Sequence, residues 1–289
     1  MLTSASPGKI YGAIKKLRLK NKSTGFVPTM GALHEGHLSL IRQARKDNDI
    51  VAVSIFVNPA QFAAGEDLKR YPRPLKKDLA LCSKEGVDIV FSPKPKDMYP
   101  DGYSTYVNVE GLSEALCGRY RPVHFKGVAT IVAKLLNIVQ PDLIYLGQKD
   151  AQQALIIKRM AEDLNIPAKV RVMPIVREKD GLAMSSRNVF LSKAQRKDAL
   201  ALTQALGLAK ILIKNGARDT KRIISRMQQL IRNKRSARID YIEIVDLKTL
   251  KPVKRVINNC LIALAVRIGN TRLIDNLIIR DGLRTVPTE

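Results

Sequence analysis

Two of the three histidines of this 289-residue chain lie in one tetrapeptide, His34-Glu35-Gly36-His37. The residues before it read as a buried strand and those after it begin an apolar helical pattern, so the tetrapeptide marks a strand–loop–helix junction. Backbone N–H groups and the helix dipole attract phosphate there. Both imidazoles fall on roughly one helical face, which indicates an HxGH nucleotide-binding site. The alternatives are two polar residues at a helix start and a zinc protease, whose histidines need a wider spacing.

Further polar residues follow the next predicted strands. Gln61 comes after the second strand and offers both a donor and an acceptor to a small polar substrate. The interpretation as a loop glutamine that bonds the backbone is equally plausible in isolation. Because ligands of parallel sheets bind at the carboxyl ends of the strands, this position is a candidate substrate contact.

The segment Gly147-Gln148-Lys149-Asp150 follows another strand and opens a helix. Glycine permits a close backbone approach, Lys149 supplies a point charge for phosphate, and Asp150 offers an acceptor for ribose hydroxyls. Gln152 and Gln153 come next and are expected to face the same crevice.

The segment 181–188 contains Met184-Ser185-Ser186-Arg187. Two hydroxyls, adjacent amides and a guanidinium are suited to clamp phosphate, although a serine-rich helix cap is as plausible. Loops of the KMSKS type act as mobile flaps opposite HxGH sites in nucleotidyl-transfer enzymes. We therefore expect His37 and Arg187 to flank one α-phosphate.

Three other positions are ambiguous. His124 begins a predicted helix, where a histidine is more often structural than catalytic. Asp78 is a candidate Mg²⁺ ligand, but an aspartate beside Lys76 and Lys77 is more often a solvated helix residue. The sequence does not decide whether 71–73 is functional.

Strand and helix patterns alternate over the first part of the chain. The predicted strands are 24–29, 50–57, 87–91, 142–146 and 169–173, and the predicted helices are 36–47, 76–85, 125–140 and 151–164. This order predicts an α/β fold with a Rossmann-type doubly wound parallel sheet, as in the HxGH nucleotidyl-transfer superfamily.

A charged turn at 177–181 divides the chain into a Rossmann-type domain, 1–176, and a smaller α+β C-terminal domain, 177–289. In the second domain the pattern predicts helices at 193–214 and 220–233 and strands at 239–245, 261–266 and 273–279.

Composition limits the class of protein. The net charge is +24, of which +14 falls beyond Val176, where 24 Lys and Arg face 10 Asp and Glu. Nucleic-acid binding or attraction of a polyanionic substrate would explain this charge, but so would a basic proteome. Tryptophan is absent, so base-stacking surfaces are sparse. Three dispersed cysteines fit buried thiols in a reducing cytosol, and no apolar run predicts a membrane span or a secretory signal.

Several segments, in this order, resemble the pantothenate synthetase, or pantoate–β-alanine ligase, family. The matching stretches are 27–37, 54–62, 66–73, 147–153 and 180–188, and the likeness runs from about residue 20 to about residue 280. The combination is specific, whereas each stretch alone is weak.

The resemblance implies an ATP-dependent ligase that makes the coenzyme A precursor pantothenate. Pantoate carboxylate would attack the α-phosphorus of ATP, with Mg²⁺ present, to give pantoyl adenylate and pyrophosphate. The amine of β-alanine would then attack the acyl carbon and release AMP and pantothenate. It also implies a cytoplasmic homodimer with a C-terminal lid domain, no membrane association and no nucleic-acid partner despite the charge.

The resemblance also assigns residues by matching position. His37 would be the proton donor, with His34, Lys149 and Arg187 as the other catalytic residues. Gln61 would bind pantoate and lie next to β-alanine, and Gln153 would bind pantoate. The ATP contacts would be Met30, Gly31, Ala32, Leu33, His34, Glu35, Gly36, His37, Gly147, Gln148, Lys149, Asp150, Val176, Met184, Ser185, Ser186 and Arg187.

The chain departs from the family pattern at a few positions. Many members carry Glu at Gln148 and an aromatic residue at Ala151, so charge is lost and one wall of the site is altered. Lys77 replaces an acidic residue found in some members, which weakens the metal role of Asp78, and Val123 replaces a frequent glycine. Two alternatives remain open: a nucleotidylyltransferase that transfers AMP to a phosphate acceptor, and an RNA-binding module.

Overall fold

The computed structural model describes residues 1–256 and 258–280, together with the backbone of 284–285. The described chain forms two compact units. The first comprises 1–113, 121–147 and 153–173, and the second comprises 114–120, 148–152 and the chain from Pro174 onward. Three short segments inside 1–176, namely 114–120, 148–152 and 174–176, thus belong to the second unit. None of the helices in the described ranges is long and apolar enough to cross a membrane.

The secondary structure follows the predicted order, with additional strands or α-helices at 2–4, 7–18, 95–98, 117–120 and 284–285. The strands are β1 (Leu2–Ser4), β2 (Thr24–Thr29), β3 (Ile50–Ile55), β4 (Ile89–Phe91), β5 (Leu143–Gly147), β6 (Lys169–Met173), β7 (Ala237–Asp246), β8 (Cys260–Ile268), β9 (Thr271–Arg280) and β10 (Arg284–Thr285). The α-helices are α1 (Pro7–Arg18), α2 (Glu35–Asp47), α3 (Leu75–Lys84), α4 (Pro95–Met98), α5 (Cys117–Tyr120), α6 (His124–Val139), α7 (Ala151–Asp163), α8 (Lys193–Ala199), α9 (Ala201–Lys214) and α10 (Thr220–Arg232).

The first unit is built on a six-stranded parallel sheet in the order β1-β4-β3-β2-β5-β6. The chain leaves β2 toward β3 on one side and later returns to place β5 on the other. The order therefore reverses between β2 and β5, and ligands of such sheets bind outside the carboxyl ends of the strands at this point. The predicted doubly wound parallel sheet is confirmed.

Both faces of the central strands are buried. Val27 and Val53 belong to a core cluster formed with α2 and α3, whereas their neighbours Phe26 and Ala52 are equally buried and alternate to the other face. This explains why these strands read as continuous apolar runs rather than as alternating patterns.

The N-terminal strand β1 and helix α1 were not predicted. Ser6 accepts a hydrogen bond from the Lys9 amide and Pro7 occupies the first helical turn, which is a recognisable start signal. Ile10 and Ile14 bury one face of the helix. The sequence thus contained a helix start signal, but the buried apolar residues that follow it, Ile10 and Ile14, span only one helical turn.

The second unit contains a four-stranded antiparallel sheet in the order β10-β9-β8-β7, with α9 and α10 contributing to one apolar core. The predicted smaller α+β region is confirmed. The predicted helix 193–214 is interrupted at Leu200, whose backbone dihedral angles remain helical, so only the hydrogen-bond ladder is broken.

Candidate active site

The loop after β2 adopts an unusual backbone conformation. Gly31 and Ala32 have φ values of +82° and +51°, and this left-handed region is unfavourable for a residue with a Cβ. Asp78 offsets the cost because its two carboxylate oxygens each accept a backbone N–H, from Ala32 and from Leu33, at 2.8 Å. The aspartate is 1% exposed. The loop that leads into the histidine tetrapeptide is thus held from α3.

His34 and His37 are brought together at the start of α2. Their ring centroids are 4.1 Å apart, and the backbone N–H of His34 donates to Nδ1 of His37 at 3.4 Å. A neutral imidazole whose Nδ1 accepts a hydrogen bond carries its proton on Nε2. In this form His37 carries an N–H donor on Nε2, the kind of group that can contact a phosphate oxygen.

Glu35, between the two histidines, is directed to another partner. Its carboxylate receives two hydrogen bonds from Arg42, at 2.6 and 3.0 Å, and Arg42 also contacts Glu85. The hydrogen bond from Arg42 lowers the pKa of Glu35. This negative charge is therefore compensated by Arg42 at the surface of α2.

Gln61 is buried and its side-chain amide is fully oriented. Its Nε2 donates to Sδ of Met30 at 2.8 Å, and its Oε1 accepts from Nδ2 of Asn58 at 3.2 Å. Asn58 is in turn oriented by the hydroxyl of Tyr99, which donates to its Oδ1 at 2.7 Å. Burial is the main cause of a raised Tyr99 pKa, so the hydroxyl is protonated and can donate at neutral pH.

The main chain of Gln61 is fixed as well. Its carbonyl contacts Nδ1 of His124 at 3.0 Å and accepts from Arg121 at 3.2 Å. Gly127 of α6 lies so close that an added Cβ would sit 2.3 Å from the carbonyl oxygen of Ala60. The backbone contact supports the structural interpretation of His124.

In the second unit, residues 148–150 form a single 3-10 turn that opens into α7. Asn276 of β9 binds this turn: its Nδ2 donates to the carbonyls of Gln148 and Lys149 at 2.8 and 3.1 Å, and its Oδ1 accepts from Nε2 of Gln148 at 3.2 Å. The ammonium of Lys149 lies 3.6 Å from Asp150. The turn therefore presents one cation on a fixed backbone.

The charged stretch at 177–181 lies in a β-hairpin of the second unit. Arg177 pairs with Ala183, and the Met184 amide donates to the Val176 carbonyl at 3.0 Å. The Arg177 guanidinium makes two hydrogen bonds to the buried carboxylate of Asp275, at 2.7 and 3.0 Å. The predicted turn is the tip of this hairpin. The ion pair compensates the charge of Arg177, which lies against the buried Asp275.

The serine-containing segment follows this hairpin. Ser185 caps a 3-10 helix, Ser186–Phe190, by accepting the Arg187 amide at 3.3 Å. Asn188 donates to Glu178 at 2.6 Å, and Arg196 binds Glu178 and Asp180 at 2.8 and 2.7 Å. A capped and braced segment presents Ser186 and Arg187 from a defined backbone.

The predicted site residues thus divide between the units. Met30 to His37, Gln61, Gly147 and Gln153 lie in the first, and Gln148, Lys149, Asp150, Val176 and Met184 to Arg187 lie in the second. Gln153 is half-buried in the first turn of α7. Gln152 does not face a crevice as expected, because its amide accepts from the Cys117 N–H and donates to the Ala115 carbonyl.

No group of three His, Cys, Asp or Glu side chains within the described ranges is arranged to hold a metal ion. The interpretation of Asp78 as a solvated residue is wrong, and its use by two backbone amides argues against the Mg²⁺ role as well. Mg²⁺ in nucleotide sites is commonly held by substrate phosphates with few protein ligands. The described part of the chain therefore offers no set of three such side chains that could hold Mg²⁺ without the nucleotide.

Sequence reasoning missed the residues that hold the motifs. Asp78 had a usable signal: it lies four residues before Cys82, which is buried, so helical periodicity places both on the inner face of α3. Burial and the neighbouring Asp78 raise the Cys82 pKa to about 12. The roles of Tyr99, Asp275 and Asn276 carry no comparable local signal.

Comparison with known proteins agrees with this architecture. The Pantoate-beta-alanine ligase family model matches residues 4–278. A pantothenate synthetase of Sulfurihydrogenibium sp. is 55% identical over 273 residues, covering 94% of this chain and 98% of the relative. One of Heliobacterium modesticaldum is 55% identical over 260 residues, covering 90% and 92%.

Solved structures give the same result. The crystal structure of pantothenate synthetase from Thermus thermophilus has a TM-score of 0.92 at 42% identity and covers 97% of this chain and 100% of its own. The pantoate-beta-alanine ligase of Francisella tularensis, complexed with beta-gamma ATP and beta-alanine, has a TM-score of 0.81 at 35% identity and covers 96% and 97%. The chain is therefore an enzyme that belongs to the pantoate–β-alanine ligase family.

Proposed function

We propose that this enzyme condenses pantoate with β-alanine in an ATP-dependent reaction that passes through pantoyl adenylate. The observation that carries the proposal is the grouping of the histidine pair and the oriented Gln61 amide after β2 and β3, beside the switch point of the sheet. The Francisella relative, complexed with beta-gamma ATP and beta-alanine, supports ATP and β-alanine as substrates.

In the first half-reaction, a pantoate carboxylate oxygen attacks the α-phosphorus of ATP and pyrophosphate leaves. We propose that Nε2–H of His37, with His34 beside it, donates to the developing charge on phosphate, and that Lys149 and Arg187 supply positive charge. Such preorganised donors stabilise a transition state without a protein nucleophile. The proton-donor role given to His37 by the resemblance needs only this hydrogen bond.

The ATP contacts in this proposal are those that the resemblance assigns. Their chemistry is constrained at two positions, because the N–H groups of Ala32 and Leu33 are already donated to Asp78. Carbonyls or side chains of these residues would therefore make their contacts. The His37 N–H is also donated, to the His34 carbonyl at 2.8 Å, so the N–H groups of Glu35 and Gly36 would be the ones to meet phosphate at the start of α2.

In the second half-reaction, the amine of β-alanine attacks the acyl carbon, the bond to AMP breaks, and the amine proton leaves to solvent. Gln61 would bind pantoate and border β-alanine, and Gln153 would bind pantoate. The Asn58 hydrogen bond turns the Gln61 amide so that its geometry is set before substrate arrives. An orientation that is fixed before the substrate binds lowers the entropic part of the activation free energy.

The wider biological setting is also proposed from the resemblance: a homodimer in the cytoplasm, with Mg²⁺ brought by the nucleotide. The buried thiols of Cys82, Cys117 and Cys260 are consistent with a reducing compartment. Sedimentation of the purified chain tests the dimer, and ATP titrations with and without Mg²⁺ test the metal requirement.

The test of the mechanism is isotope exchange between pyrophosphate and ATP. We expect exchange that depends on pantoate but not on β-alanine, because the adenylate forms before the amine is needed. Release of AMP should require both substrates. A nucleotidylyltransferase would instead transfer AMP to a phosphate acceptor, and absence of pantoate-dependent exchange in active enzyme would exclude the adenylate route.

A further inference from the structure

Two adjacent residues of β9 bind the two segments of the second unit that are assigned to ATP. Asn276 holds the turn 148–150, and Asp275 holds the base of the hairpin through Arg177. Successive side chains of a strand point to opposite faces, so these two neighbouring residues can each bind a different segment. The backbone amide of Asn276 also donates to the Asp275 carboxylate, at 2.8 Å, which links the two contacts.

Asparagine satisfies the turn in a way that its isosteres do not. Nδ2 supplies two donors to two consecutive carbonyls while Oδ1 accepts from the Gln148 side chain. The residue is 5% exposed, so few solvent molecules can replace these bonds. An aspartate has no donor and would place its charge against two carbonyl oxygens.

We propose that Asn276 is a positioning residue for ATP, acting through the backbone of Lys149. This inference rests on the proposed function for the role of Lys149. The side chain of Lys149 is long and flexible, and only its backbone is fixed by the sheet. Because a displacement of about 1 Å can cost roughly 100-fold in rate, a fixed origin for this cation matters to phosphate binding.

The side chain of Gln148 takes part in the same contact. Its Nε2 donates to Oδ1 of Asn276 at 3.2 Å, whereas an ionised glutamate at this position could not donate there. The chain therefore closes the turn with one more hydrogen bond than a glutamate would provide.

The experiment is a double-mutant cycle on the full chain with Asn276→Asp and Lys149→Ala. Direct calorimetric titration with ATP and the pantoate-dependent exchange rate are both measured. Asn276→Asp should weaken ATP binding roughly 10–100-fold, the range for losing a supporting contact. In the Lys149→Ala background the same change should cost less than about threefold, because residues that act as a unit are not additive.

Controls separate positioning from general damage. Asn276→Ser replaces the amide and its two N–H donors with one shorter hydroxyl, without adding charge, and should show the same coupling with a smaller loss. Asn137→Asp, which makes the same chemical change at an exposed position of α6 and removes an amide-to-carbonyl hydrogen bond there, should leave ATP affinity within about twofold. Thermal unfolding identifies variants that do not fold, and KM for β-alanine should stay within about twofold in the Asn276 variants.

Additive losses in the cycle, or unchanged ATP affinity in Asn276→Asp and Asn276→Ser, would overturn the inference. Because the titration needs no turnover, it decides the role of Asn276 even if the exchange reaction is absent. Loss of exchange in the unaltered enzyme counts against the proposed function alone.

Discussion

At the scale of single residues, the histidine pair carries the most specific prediction. The His34 amide donates to Nδ1 of His37, so the neutral ring carries its proton on Nε2. We expect His37→Ala to lower turnover by roughly 10²–10⁴-fold with the fold intact, the range for losing such a donor. His124→Ala should cost clearly less, since its ring contacts a backbone carbonyl. Steady-state kinetics with circular dichroism provides the check, and near-normal turnover in His37→Ala would remove it from the site.

Arg187 tests whether geometry or charge matters at the capped segment. Its backbone is set by the Ser185 cap, so a planar guanidinium can be aimed at two phosphate oxygens. We expect Arg187→Lys to reduce kcat/KM for ATP by roughly tenfold or more, because a point charge does not replace a bidentate fork. Arg226→Lys on the exposed face of α10 is the matched control. Equal kcat/KM for the two variants would mean that only net charge acts at position 187.

At the scale of elements, the hairpin and α8 are joined by charge. A hydrogen bond from Arg196 is the largest cause of the lowered pKa of Glu178, whose ordinary value is 4.5. A carboxyl with a lowered folded-state pKa contributes stability above its unfolded pKa and loses it as pH falls through the folded value. The free energy of unfolding should therefore decrease as pH is lowered below about 4.5.

Arg196→Gln should flatten this decrease, because the carboxylates of Glu178 and Asp180 lose their common partner. Urea unfolding of the full chain at about pH 7 and about pH 3.5 gives the two free energies. The partners are partly exposed, so we expect a difference of at most about 1 kcal/mol. Arg226→Gln serves as the control, and an identical pH dependence in both variants would rule out this ion pair as the cause.

At the scale of the whole molecule, more than half of the net charge of +24 lies in the part of the sequence after Val176. Helices α9 and α10 contain no acidic residue, and α10 carries Lys221, Arg222, Arg226 and Arg232. Steering of ATP acts on the encounter rate and is screened beyond about 8 Å at physiological salt.

We therefore expect kcat/KM for ATP to fall modestly as salt rises, with kcat little changed. RNA should bind only weakly, in the range of about 10⁻⁴–10⁻⁶ M that non-specific contacts give. Initial rates across a salt series and fluorescence titration with a mixed RNA measure both quantities. Submicromolar RNA affinity at about 0.15 M salt would contradict this prediction and favour a nucleic-acid role.

The sequence alone determined the order of most strands and helices and which candidate site residues follow the strands. Buried parallel strands leave continuous apolar runs and amphipathic helices leave a 3.6-residue period, and both signals are local in the chain. The residues that follow β2, β3 and β5 could therefore be assigned to the carboxyl ends of a parallel sheet from these patterns alone. The hairpin at 176–184 was predicted only as a charged turn, because the partner of its Arg177 is distant in the sequence.

Only the tertiary structure decided which residues hold these motifs. Asp78 binds a loop 46 residues away, and Asn276 binds a turn 128 residues away. Periodicity reports whether a position is buried, but the partner of a buried polar group depends on how distant segments meet. Burying such groups without hydrogen bonds costs several kcal/mol, so their partners are strictly required. The tertiary structure meets this requirement at Asp78, which follows two lysines in the sequence and accepts hydrogen bonds from the loop before His34.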